Sequence, residues 1–187
     1  MKEVFLSHCE SGAMLAERLG FDEGVQKAVR YLWEQWDGKA QAYGLKGDKT
    51  PVASRVLHFA QVIEVGHRFG GKSYALDIAK ERRGKDFDPD VVDAHFSAQK
   101  RADFWAAFEM ESAKEAVLGI RPPSRYEGAT DDHVEKTCEV LADFIDIKSP
   151  FTWGHSKTVA ETSESVARQL GLDDDAVTTV RRAALVH

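Results

Sequence analysis

The stretch TPVASRVLHFAQVI, residues 50–63, decides the fold class. Its apolar residues Val52, Val56, Phe59, Ala60 and Ile63 recur at three- and four-residue steps, the spacing of one face of an α-helix. Thr50 is placed to cap the first turn. Pro51, at the first helical position, loses no hydrogen bond that the helix would use. A strand would need apolar residues at every second position.

The same pattern runs outward in both directions. Val4 to Leu19 is apolar at helical spacing and stops at Gly20. Asp22 predicts the cap of a second helix carrying Val25, Val29, Leu32 and Trp36. Asp88-Pro89 repeats the Thr50-Pro51 device ahead of Val91, Val92 and Phe96, and a further helix with Phe104, Trp105, Phe108 and Met110 reads as packing. No stretch alternates like a strand, and no two-residue hairpin signal joins apolar runs. The fold class is all-α. GIRPPSRYEGATD, from Gly119, holds a Pro-Pro pair and two glycines and reads as a linker. The expected organisation is one unit over residues 1–118, a linker over 119–130 and a second unit over 131–187.

Composition excludes several classes of function. The 187 residues are 43% hydrophobic and 30% charged, as in an ordinary globular protein, with a net charge of −6. An acidic chain lacks the basic face that phosphate backbones require, so no direct nucleic-acid binding is expected. No apolar run reaches membrane-spanning length, and the start MKEVFLSHCE is too charged for a signal peptide. Cys9 and Cys138 lie far apart and form no CxxC pair, which predicts reduced thiols and a cytoplasmic location.

Across residues 8–96 the chain resembles the C-terminal half of an HD-GYP domain, a helical metal-dependent phosphohydrolase of the HD superfamily. The matches run in order: His8 to Ala13, Leu15 and Leu19-Gly20-Phe21; Glu34-Gln35-Trp36-Asp37-Gly38; Gly44-Leu45-Lys46-Gly47; Pro51, Ala53, Arg55 and Val56; Phe87 to Val92, and Phe96. The resemblance makes His8 a metal-ligand position. The departures fall on the chemistry. Two adjacent ligand histidines of the family are here Leu32 and Trp33, a later ligand aspartate is Gln61, and the Gly-Tyr-Pro triplet is Ala40-Gln41-Ala42. Neither Leu32 nor Trp33 offers a lone pair to a metal. Trp36 and Asp37 therefore read as a folded turn that has outlived its active site.

The second part resembles the opposite end of the same superfamily. SPFTWGHSKTVAETSESVARQLGL, from Ser149, looks like the opening helices of an HD domain, with His155 at its first ligand position. The aspartates Asp173, Asp174 and Asp175 then start a helix that runs to His187, the position where the family's paired His-Asp motif begins. The resemblance thus implies an incomplete HD-type bundle, the back of one unit followed by the front of another, truncated at the HD motif. It implies a divalent metal (iron, manganese or zinc) and the candidate ligands His8, His155 and His187. Packed as a permuted unit, the two halves would bring all three histidines to one ion. His58, His67, His95 and His133 match no ligand position, and Arg55, which could attract phosphate, is expected instead to tie carboxylates or helix ends.

Three functions follow from this reading. The first is a degenerate signalling or scaffold domain without turnover, which binds a partner protein. The second is a metal-dependent phosphodiesterase acting on a cyclic dinucleotide such as cyclic di-GMP. The third is a piece of a transcriptional regulator whose helix-turn-helix lies elsewhere. Leu32, Trp33 and Gln61 favour the first. The helix ending at His187 carries Val177, Val180, Ala184 and Leu185 at helical spacing, and this stripe is expected to be uncovered and to drive self-association.

Overall fold

The computed structural model describes residues 2–40, 42–101, 103–108, 119, 130–147 and 154–187, the side chains of residues 2–5 and 107 excepted. It divides into two compact units, one of residues 1–17 and 21–124 and one of residues 18–20 and 125–187. Among the described residues the secondary structure is helical, with no strand. All but the two ends of the expected linker, residues 120–129, lie outside the described residues.

In the first unit, α1 spans Lys2–Arg18 and α2 spans Glu23–Arg30. Asp22 caps α2 by accepting the Val25 amide at 3.0 Å, as its position predicts. The helix stops at Arg30, earlier than the periodicity suggests, and Leu32 to Trp36 belong to the turns that follow. The reason is tertiary: the Trp36 and Asp37 amides donate to the carbonyls of Asp86 and Lys85, which hold this segment out of a helix.

Next comes α3, Val52–Arg82, preceded by one 3-10 turn at Gly47–Lys49. Thr50 does not cap it: the cap position is Pro51, and the buried Thr50 hydroxyl makes no hydrogen bond. The element is a hairpin of two helical arms. Gly71 interrupts it at φ 71°, ψ −173°, a conformation open essentially to glycine alone. A Cβ on Gly66 would stand 3.6 Å from the Ala75 Cα. A straight helix would set those residues about 13 Å apart. Phe59 and Ile63 of the first arm thereby meet Ala75 and Ala79 of the second, and Phe87 and Val92 complete the core. Val92 belongs to α4, Pro89–Ala98, capped by Asp88 through the Asp90 amide. The expected aromatic helix is a 3-10 turn, Trp105–Phe108, packed on this core, and Met110 lies outside the described residues.

The second unit holds α5, Asp131–Asp146, α6, His155–Gln169, and α7, Asp174–Leu185. Thr130 caps α5 through the His133 amide, and Asp173 caps α7 through the Ala176 amide. Alanines let the helices approach closely: Ala142, Ala160 and Ala184 form the core with Leu185. The stripe expected to be uncovered is covered within this unit. Val177, Ala184 and Leu185 are buried and Val180 is half-buried, so the stripe supplies no reason for self-association. Around the core, Arg181 pairs with Glu135, Glu139 and Glu164, and Arg182 with Glu135 and Asp131. Among the described residues no helix is long and apolar enough to cross a membrane.

Candidate metal centre

Two of the three predicted ligand histidines come together. His155 is the first residue of α6, where the left-handed Gly154, at φ 77°, turns the chain into the helix. His187 follows the last turn of α7, and its Nδ1 lies 2.6 Å from the Ala184 carbonyl oxygen. A carbonyl oxygen only accepts, so Nδ1 is the donor, and in the neutral tautomer this leaves the lone pair on Nε2. The two Nε2 atoms stand 3.4 Å apart, with ring centroids at 5.3 Å. Two nitrogens at about 2.0–2.1 Å from a tetrahedral zinc would be separated by about 3.3 Å. Both rings are exposed and within reach of an ion from solvent. The pair fits one side of a divalent-metal site. His8, an exposed residue of α1, belongs to the first unit. Among the described residues, neither unit gathers three or more His, Cys, Asp or Glu in metal-holding geometry.

One residue that sequence reasoning missed supports this pair. Asp146, at the end of α5, is 3% exposed and accepts hydrogen bonds from both the amide and the hydroxyl of Ser156. The signal was an acidic residue nine positions before His155. Without the fold, nothing separates it from any other aspartate at a helix end.

In the first unit the motif residues build a loop rather than a site. Glu34 is buried and accepts the amides of Tyr43, at 2.8 Å, and Leu45. Asp37 accepts the Lys39 amide, which holds its carboxyl below the usual range. Arg55 ties carboxylates, as expected: it pairs with Asp88 at 2.5 Å and Asp48 at 3.2 Å, and its guanidinium lies over the Trp36 ring. Leu32 and Trp33 offer no metal ligand, and the Gln61 amide is a weaker one than a carboxylate. Trp33 packs edge-on against His58, and Gln61 is exposed on α3. Burial, the largest cause, pushes the Cys9 thiol up, against a lowering contact from the Trp33 backbone. Of the unmatched histidines, His58 and His95 are buried, His67 stacks on Trp105 and His133 is exposed.

No family model matches the chain. It is 30% identical over 186 residues to the 3'3'-cGAMP-specific phosphodiesterase 3 of Vibrio cholerae serotype O1. A crystal structure of a cyclic GMP-AMP-specific phosphodiesterase from V. cholerae superposes with a TM-score of 0.88 at 30% identity, over 100% of this chain. Both likenesses are to an HD-GYP-type HD-domain phosphodiesterase, the resemblance that the ordered motifs carry. The chain spans 40% of the length of that curated relative and 45% of that solved chain. The HD-GYP likeness also accounts for the all-helical architecture.

Proposed function

We propose that this chain is a segment of a cyclic-dinucleotide phosphodiesterase in which the two units have separate tasks. The second unit contributes His155 and His187 to a divalent-metal centre. The first unit is a scaffold without metal chemistry of its own. The observation that carries this reading is the 3.4 Å approach of the two Nε2 atoms, with the His187 tautomer set by Ala184. A metal held there would lower the pKa of a bound water and offset charge on a phosphodiester. The chain's own part is to present two imidazoles at that spacing. The substrate class rests on the V. cholerae relatives, both named for cyclic GMP-AMP. Scaffold status for the first unit rests on Leu32, Trp33 and Gln61, and on the use of Glu34, Asp37 and Arg55 to hold a loop.

Two ligands make an incomplete set, so the purified chain should bind a divalent metal without turnover. Hydrolysis of 3'3'-cGAMP and of cyclic di-GMP, followed as linear product with added manganese or iron, should stay at background. Zinc should raise the melting temperature, and His155→Ala should abolish the gain. Metal-dependent turnover that disappears in His8→Ala would overturn the division of tasks. Absence of a zinc effect would overturn the metal site.

A further inference from the structure

A ligand on the first residue of a helix is only as well placed as the first turn, whose amides lack partners within the helix. At α6 the usual solution is missing. Asp22, Asp88, Thr130 and Asp173 each cap the helix that follows them. Gly154 holds the cap position of α6 and has no side chain to offer. Asp146 supplies the cap from the neighbouring helix. Its Oδ2 accepts the Ser156 amide at 3.2 Å and its Oδ1 accepts the Ser156 hydroxyl at 2.8 Å. Ser156 is 1% exposed, so this double bond to a carboxylate is made out of water. Charge-assisted hydrogen bonds are stronger than neutral ones, and more so where water does not compete. His155 is thus held on both sides, by the left-handed turn at Gly154 and by the anchored Ser156.

We propose that Asp146 is a positioning residue of the metal centre: through Ser156 it fixes the first turn of α6 where the His155 imidazole meets that of His187. The inference rests on the reading of His155 and His187 as ligands. The geometry it explains, however, exists without metal. Loss of the carboxylate frees the Ser156 amide and hydroxyl, and the turn carrying His155 moves independently of α5. The core alanines of α6 lie further along the helix, so the unit should still fold.

The test compares the full chain with Asp146→Ala, Asp146→Asn and Ser156→Ala. Asp22→Ala is the control, since it removes a cap in the first unit. In metal-free protein, contact between the His155 and His187 rings is read as a nuclear Overhauser effect between their ring protons. In a second arm, cobalt(II) is titrated and followed by its visible spectrum. Asp146→Ala should keep its helical circular dichroism, lose the ring contact and weaken cobalt binding about tenfold. Asp146→Asn keeps an acceptor for the Ser156 amide and should restore most of both. Asp22→Ala should change neither. If Asp146→Ala does not fold, Ser156→Ala decides, with a weaker ring contact expected. An undiminished ring contact in Asp146→Ala, or in Ser156→Ala where that variant decides, overturns the proposal. If the intact chain takes up no cobalt, the reading of the histidines as ligands fails, while the ring contact still decides the role of Asp146.

Discussion

Acidification should loosen the first unit through two histidines. His58 is buried with neither ring nitrogen in a hydrogen bond, packed against Trp33 and Phe87. His95 is buried among Phe59, Phe96, Phe104 and Trp105, and its Nε2 has no partner. Burial, the largest cause in both, pushes each imidazole below its ordinary value of 6.5. At His58, Asp86 and the Leu32 backbone favour the cation, the latter from outside hydrogen-bond geometry, and Arg82 opposes it. Both rings are therefore neutral in the folded state. Above the ordinary value neither state binds a proton, and stability does not depend on these groups. Below it, the unfolded chain takes up protons that the native chain refuses. Stability then falls with pH until the native rings titrate. Each refused proton is worth up to about 1.4 kcal/mol per pH unit, so the two together contribute up to about 2.7. For a chain of this size that is about 5–10 °C of melting temperature per pH unit. Three of the four tryptophans, Trp33, Trp36 and Trp105, lie in the first unit, so intrinsic fluorescence melts between pH 7.5 and 5 report on it. His58→Phe and His95→Phe keep an aromatic ring in place and should each remove about half of the excess slope. A double variant that retains the wild-type pH dependence would refute the reasoning.

Substitutions at three further sites can be checked by urea denaturation. Arg55→Ala leaves the nearly buried Asp88 carboxylate without its partner and strips the cation from Trp36, and should cost about 3–5 kcal/mol. Arg55→Lys should recover only part, because an ammonium cannot reproduce the guanidinium fork. Glu34→Ala frees the Tyr43 and Leu45 amides and should cost about 2–3 kcal/mol, with little change in metal binding by the second unit. Gly71→Ala forces a side chain into the conformation that turns the α3 hairpin, and should cost about 1–3 kcal/mol even though a Cβ there would meet nothing.

Helical periodicity made the all-α class legible, because the 3.6-residue repeat is a local property of the chain. Caps were legible for the same reason: Asp22, Asp88 and Asp173 each bond an amide two or three residues away. The ordered family motifs carried the resemblance and named His8, His155 and His187 as candidate ligands. Tertiary structure decided what local pattern could not. It ended α2 at Arg30, because the amides of the following loop bond to Lys85 and Asp86, about fifty residues on. It folded α3 back at Gly71 and buried the α7 stripe against α5 and α6. It set Glu34 as the support of the loop at Tyr43 and Leu45, and it revealed Asp146 as the cap that Gly154 cannot provide. Each of these depends on which distant group fills a hydrogen bond or an apolar face, and that information lies in the packing of the chain upon itself.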